Sequence, residues 1–319
     1  MKTRVVRVGD DTPVISDGSV VTIGAYDGVH LGHRKVLQLV RELADARGLD
    51  AVCVTFDRHP AQVVRPETAP ALLTTLTHKL ELLVGAHLLD VVCVLEFDEG
   101  RSKESAEDFV HEVLVGLLGA RVVVVGADFH FGHRRGGNVA LLERMGADLG
   151  FEVIGLGLVA PESGPVHEPY SSTRVRHRLA AGDVAGAADL LGRPHEIRGV
   201  VVEGDRRGAA LLGFPTANVA LAPDMCLPAD GIYAGRFRGA DGAWRPAAIS
   251  LGRRPTFYEH QEHSLLEAHV LDFDGDLYGQ PASVQFIEHL RGEQRFDSVD
   301  DLIAQMQRDC DRARVILSV

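Results

Sequence analysis

Two histidines flanking a glycine, in the run Gly24-Ala-Tyr-Asp-Gly-Val-His-Leu-Gly-His33, are the first residues of the chain whose types and spacing suit chemistry. Glycines let a backbone turn sharply and approach a ligand closely. A helix opening at His33 would present unpaired N–H groups and a positive dipole end, which suit phosphate. His30 and His33 could then donate to triphosphate oxygens as charge develops on them. A plain strand-to-helix turn carrying two solvated histidines would show the same letters.

Three further segments carry polar groups that could meet the same ligand. They are Thr55-Phe-Asp-Arg-His-Pro60, the glycine- and arginine-rich stretch Val125–Asn138, and Glu168-Pro-Tyr-Ser-Ser-Thr-Arg-Val-Arg176. Asp128 and Asn138 offer polar contacts, Arg134 and Arg135 suit anions, and the last segment places hydroxyls and guanidiniums at a helix start. Any one of them could be a solvated loop. Four such loops at one edge of a sheet are better explained by a nucleotide site.

A different chemistry is legible in the second half. Pro215-Thr-Ala-Asn218 supplies a hydroxyl and an amide carbonyl, oxygen ligands acceptable to magnesium. Glu267 alternates with Leu266, Ala268 and Val270, so its carboxylate lies on the opposite face of a strand and could take a proton from an attacking hydroxyl. From periodicity alone, an Asn-containing turn and a solvent-facing strand Glu account equally well for these residues.

The elements that must position these groups fall into two rhythms. Up to about residue 180, short apolar runs (Val20–Gly24, Ala51–Phe56, Val91–Phe97, Arg121–Gly126 and Glu152–Gly157) alternate with helical patterns such as His33–Arg47 and one opened by a Ser105–Asp108 capping box. That alternation implies βαβ units and a doubly wound parallel sheet, an α/β domain over residues 1–184. From about residue 195, Ile197–Glu203, Gly231–Arg238, Trp244–Ser250, Leu265–Phe273 and Ala282–Leu290 read as strands with no long helix between them. They predict a small antiparallel β-barrel over 185–319, closed by a helix that Ser298 caps, with Val299, Leu302, Ile303, Met306 and Cys310 on one face.

The chain has 319 residues with a formal net charge of -12, and 45% of its residues are hydrophobic, enough for two cores. That charge argues against nucleic acid as a partner. No N-terminal apolar segment and no long apolar stretch points to export or membrane insertion, and four scattered cysteines suit reduced thiols, so a cytoplasmic protein is expected.

Taken together, Gly24–His33, Asp57–Pro60, Gly126–Asn138 and Ser171-Ser-Thr-Arg-Val-Arg176 resemble the adenylyltransferase module of prokaryotic bifunctional riboflavin kinase/FMN adenylyltransferases, the FAD synthetases. Gly204–Gly208, Gly213–Asn218, Pro228–Tyr233, Gly252–Phe257 and Leu266–Tyr278 are similar to their riboflavin kinase module. The match covers nearly the whole chain in order. It implies a Rossmann-like nucleotidyltransferase sheet, riboflavin, FMN, FAD and ATP as ligands, and Mg2+ as the metal. For the first module it implies ATP contacts at Gly24, Asp27, His30, Gly32 and His33. Ser171, Ser172, Thr173 and Arg176 would act as a mobile phosphate clamp, and His59, Asp128 and Asn138 would lie on the flavin side. For the second it implies ATP contacts at Gly204, Gly208, Thr216 and Asn218, magnesium on Thr216 and Asn218, and Glu267 as catalytic base. FMN phosphate would attack the α-phosphorus of ATP with no protein nucleophile.

The chain departs from the family pattern where Gly208-Ala-Ala-Leu-Leu-Gly213 is one residue longer than usual and lacks an arginine, which implies a weakened kinase. Ser250 stands where Asn is frequent, and Ala25-Tyr26 is a milder change. A class I aminoacyl-tRNA synthetase would share the histidine motif but should add a KMSKS-like loop and a basic tRNA-binding region, and neither is present. A flavin-binding regulatory protein that kept the fold without turnover is the rival outside enzymes.

Overall fold

Valine-rich strands with no polar side need cover on both faces, and the first half of the chain supplies it. The computed structural model describes residues 2–8, 17–157, 169–203, 214–253 and 264–318. They form two compact units, Met1–Ser171 and Ser172–Val319.

In the first unit the strands are β1 (Arg4–Arg7), β2 (Ser19–Ile23), β3 (Asp50–Phe56), β4 (Val91–Leu95) and β5 (Ala120–Gly126), then a small ladder of β6 (His130–Phe131) with β7 (Gly137–Asn138), and β8 (Glu152–Leu156). The helices are α1 (Leu31–Arg47), α2 (Pro60–Val64), α3 (Leu76–Gly85), α4 (Glu99–Lys103), α5 (Ala106–Phe109, running on through Val110–Leu117) and α6 (Val139–Leu149). Six strands pair in parallel in the order β1-β4-β3-β2-β5-β8. Alternate residues face opposite sides. Val20, Cys53, Val92, Val122 and Val124 pack with Leu37, Val40 and Ala44 of α1. Val21, Val54, Cys93 and Val123 pack with Phe109, Val110, Leu114 and Leu142 on the other side. The doubly wound parallel sheet is therefore as expected. The Ser105 cap is present too, its hydroxyl accepting from Asp108 N–H at 2.9 Å. The chain steps outward from β2 to β3 and β4 and then returns to β5 on the far side of β2. That reversal puts the crevice of such a sheet at the carboxyl ends of β2 and β5. The sequence pattern did not show β1, an edge strand paired with β4 whose Arg-flanked residues are mostly exposed.

The second unit begins with α7 (Ser172–Ala180) and α8 (Val184–Leu191), which pack on each other. Asp183 caps α8, its Oδ1 accepting from Gly186 N–H at 2.8 Å. The strands β9 (His195–Val202), β10 (Ala217–Ala220), β11 (Gly231–Arg238), β12 (Trp244–Arg253), β13 (Ser264–Val270) and β14 (Pro281–Arg291) close into an antiparallel barrel in the order β10-β13-β12-β11-β14-β9. The packing division at 171/172 precedes the expected 184/185 boundary. The reason is that α8 packs on β9 and β14, and Ala229 N–H reaches Leu179 O of α7 at 2.9 Å. The strand pattern in the sequence does not include β10, which is only four residues long and begins two residues after Pro215.

The last helix, α9 (Val299–Leu317), is capped by Ser298, whose hydroxyl accepts from Asp301 N–H at 3.1 Å. Its buried contacts are Cys310, Ala313 and Leu317 against Ala234, Leu271 and Leu290, whereas Val299 is exposed. The apolar stripe thus gains depth toward the C-terminal end rather than starting buried. Arg291 grips Asp309 through two nitrogens, Nε at 3.1 Å from Oδ1 and Nη2 at 2.7 Å from Oδ2, tying α9 to β14.

Candidate functional site

The polypeptide leaves β2 with Gly24 N–H still bonded to Val54 O at 3.1 Å. It then turns through Tyr26 (φ 50°), Gly28 (φ 80°) and Val29 (φ 39°). Left-handed backbone at an aromatic and a β-branched residue persists only where the surroundings enforce it. Buried Asp27 does so. Its carboxylate accepts from Leu73 N–H at 3.0 Å and from Thr74 N–H at 3.1 Å, while Thr74 Oγ1 accepts from Gly28 N–H at 3.1 Å. Asp27, expected as an ATP contact, also shapes the turn.

His30 is the N-cap of α1, its Nδ1 accepting from His33 N–H at 3.2 Å. An accepting Nδ1 leaves Nε2 as the protonated, donating nitrogen of a neutral ring. The imidazoles of His30 and His33 stack with centroids 3.6 Å apart, and the Tyr26 ring lies 4.8 Å from that of His33. His33 Nδ1 is buried with no hydrogen-bond partner among the described residues. Burial, then the electrostatic influence of the neighbouring His30 imidazole and of Lys79, lowers the His33 pKa well below the usual histidine value, so the ring is uncharged at neutral pH. A Cβ on Gly32 would stand 2.8 Å from Tyr170 Cβ and 3.2 Å from the His30 ring. Only glycine lets these groups close together.

The neighbouring loops follow β3 and β5 at the same sheet edge. His59 caps α2, its Nδ1 accepting from Ala61 N–H at 3.1 Å while Gln62 Oε1 accepts from His59 N–H at 3.0 Å. Burial would raise the Asp57 pKa, but hydrogen bonds from Arg58 and from Phe97 N–H outweigh it and hold the carboxyl below its ordinary value. Asp128 is exposed just after Gly126. Asn138 caps α6, Oδ1 accepting from Leu141 N–H at 2.9 Å. Between them Gly132 (φ 71°) seats the loop on Ala106, where a Cβ would stand 2.6 Å from the backbone nitrogen. Gly24, Asp27, His30, Gly32, His33, His59, Asp128 and Asn138 therefore share one edge of one sheet. Ser171 ends the first unit, while Ser172, Thr173 and Arg176 lie on α7 in the second.

In the barrel, register does the positioning. Asn218 on β10 faces Glu267 on β13, and Glu267 faces Ser250 on β12. Leu266, Ala268 and Val270 are buried inside, so Glu267 emerges on the outer face, as alternation required. Thr216 immediately precedes β10, two residues before Asn218. His269 Nδ1 lies 2.7 Å from Pro215 O and holds the approach to Thr216. A cleft of about 610 Å³ opens at the barrel end, lined by Thr216, Ala217, Ala268, Val270, Phe273 and Tyr278 among others. Gly204 and Gly208, and the long Gly208–Gly213 loop, lie outside the described residues.

Lys79 was missed. It is 6% exposed on α3, and its Nζ donates to Ala25 O at 3.1 Å and Phe56 O at 2.8 Å. The available signal was a lysine four residues before buried Leu83, on the stripe a helix turns inward.

A doubly wound nucleotide-type sheet with a paired-histidine helix start, carried in one chain with an antiparallel barrel presenting Asn and Glu side by side, defines a two-module phosphate-transfer class. The FAD synthetase family model matches residues 12–173 and the riboflavin kinase family model residues 191–317. The chain belongs to the bifunctional riboflavin kinase/FMN adenylyltransferase family. The Haemophilus influenzae protein of that description is 35% identical over 95% of this chain and 96% of its own. The Escherichia coli one is 39% identical over 92% of this chain and 91% of its own. The crystal structure of a protein from Streptococcus pneumoniae described as a macrolide-efflux protein matches with a TM-score of 0.84 at 27% identity, covering 97% of this chain and 98% of that one.

Proposed function

We propose that this chain makes FAD from riboflavin in two ATP-dependent steps, one in each unit. The observation that carries the reading is the presence in one chain of both family modules, one over residues 12–173 and the other over residues 191–317. In the second unit the riboflavin 5′-hydroxyl attacks the γ-phosphorus of ATP, the bond from that phosphorus to the β-phosphate oxygen breaks, ADP leaves, and Glu267 receives the hydroxyl proton. Asn218 offers an amide oxygen with the Glu267 carboxylate across the strand pair, and Thr216 offers a hydroxyl two residues before Asn218. That all-oxygen donor set fits Mg2+. The metal, when bound, neutralises charge on the transferring phosphate. Flavin and nucleotide then need only be held in line beside Glu267.

In the first unit an FMN phosphate oxygen attacks the α-phosphorus of ATP; a new phosphoanhydride forms and pyrophosphate leaves. His30 Nε2–H and His33, at the start of α1, donate to the triphosphate; Ser171, Ser172, Thr173 and Arg176 keep the phosphate-binding role that the family motif implies for them. His59, Asp128 and Asn138 lie on the flavin side. Asp27 acts through the turn it holds. The four cysteines are free and buried, which supports a reducing cytoplasmic setting. Among the described residues no helix is long and apolar enough to cross a membrane. Riboflavin, FMN, FAD and ATP are the partners of this reading; nucleic acid and membrane are not. Incubating the protein with ATP, Mg2+ and either riboflavin or FMN, then separating flavins by chromatography, tests it. FMN and FAD from riboflavin, and FAD from FMN, are the expected products. Unchanged flavins, or flavin bound without turnover, would leave the regulatory-protein reading in its place.

A further inference from the structure

Among the described residues of the first unit, Lys79 is the one buried ammonium. Burying a lysine is costly unless its charge is answered, and a methionine would fill the same space. No ion pair of Lys79 forms with a described carboxylate; its hydrogen bonds go to Ala25 O and Phe56 O alone. The nearest carboxylates are otherwise engaged. Asp27 accepts from Leu73 and Thr74, and Asp57 accepts from Arg58 and Phe97. The two carbonyls that Lys79 covers belong to the turn leading to His30 and to the end of β3, just before the Asp57–Pro60 turn. Carboxyl ends of parallel strands present carbonyl oxygens, which repel phosphate. An ammonium covering two of them removes that repulsion, fixes the spacing of the two turns and leaves a positive charge for an anion to answer.

We propose that Lys79 is a positioning residue for adenylyl transfer, tying the His30–His33 turn to the Asp57–Pro60 turn and making the sheet edge between them receptive to the phosphates of ATP and FMN. The inference rests on the reading of the first unit given above. The charged and titratable groups around it are Asp27 in the β2–α1 turn, Cys53 on β3 and Asp57 after β3. His33 on α1, next to His30, also feels its charge.

The test uses the full chain with Lys79→Met, which removes charge and donors, and Lys79→Gln, which keeps N–H donors without charge. FAD formation from FMN, riboflavin phosphorylation and the imidazole titration of His33 by NMR are measured on each. In Lys79→Met we expect kcat/KM for FAD formation to fall by about tenfold or more, as misplacement of turns around a reacting phosphate does. Riboflavin phosphorylation should stay within about twofold, and His33 should titrate at a higher pH than in the wild type because a neighbouring positive charge is gone. Lys79→Gln should regain part of the adenylyl transfer while keeping the raised His33 titration. Should Lys79→Met not fold, Lys79→Gln alone decides, by an activity below wild type with His33 shifted upward. Adenylyl transfer within about twofold of wild type, or a loss of it with the His33 titration unmoved, would overturn the proposal and leave Lys79 as a prop of the fold. If the wild type forms no FAD at all, the functional reading of the unit fails, while the His33 titration in the variants still tests the contact itself.

Discussion

Asn218 and Glu267 stand directly opposite one another across the antiparallel pair β10 and β13, with Ser250 on the other flank of Glu267. Side chains at such paired positions have Cβ atoms about 5 Å apart. The amide proposed to bind metal and the carboxylate proposed to accept a proton are thereby held side by side by backbone hydrogen bonds rather than by a flexible loop. Glu267→Gln keeps the shape and removes the proton acceptor. Riboflavin phosphorylation should fall by about 100-fold or more, the contribution of a positioned general base, while FAD formation from supplied FMN persists. A phosphorylation rate within a few-fold of wild type in a steady-state assay would return Glu267 to a structural role.

The double change His30→Ala/His33→Ala removes both stacked rings and the cap of α1. FAD formation from FMN should disappear, with riboflavin phosphorylation nearly intact. Loss of the cap alone costs about 1 kcal/mol of stability, too little to unfold the unit. Equal loss of both activities in a folded variant would contradict the assignment of one step to each unit.

Gly32→Ala probes the same turn by space alone. The added methyl would stand 2.8 Å from Tyr170 Cβ, closer than carbon atoms tolerate, so Tyr170 and the segment leading to Ser171 must move. We expect a fall in FAD formation with riboflavin phosphorylation preserved. Normal FAD formation would show that the Gly32–Tyr170 approach is not needed for turnover.

His195 makes stability depend on pH. Burial is the main cause that drives its pKa down to about 4 from 6.5, while Nε2 lies 2.9 Å from Cys226 O. The native state therefore binds fewer protons than the unfolded chain between these values. The contribution is complete above about pH 6.5 and is lost as pH falls toward about 4, a swing on the order of 3 kcal/mol. Urea unfolding followed from pH 7 to pH 4 should show the midpoint dropping, and His195→Phe should flatten that slope. An equal slope in both proteins would remove His195 as the cause.

Much of this was legible from residue order because it depends on local rules. Unbroken valine runs between amphipathic stripes required a sheet covered on both faces, and Gly24–His33 after the first such run required a helix start with histidines at it. Alternation around Glu267 required its carboxylate to face away from Leu266 and Ala268. Long-range pairing was not legible, since no local pattern encodes which strands meet. The register that sets Asn218 against Glu267, and the closure of the barrel through the short β10, came from tertiary structure. So did the parallel edge strand β1, whose residues are too exposed to show an apolar run. Asp27 read as a ligand contact from its motif, but only the fold brings Leu73 and Thr74 to its oxygens. No local pattern singled out Lys79. Packing of α3 against the strand ends turns its ammonium inward onto Phe56 O and onto Ala25 O, which also accepts from Thr55 Oγ1 at 3.2 Å.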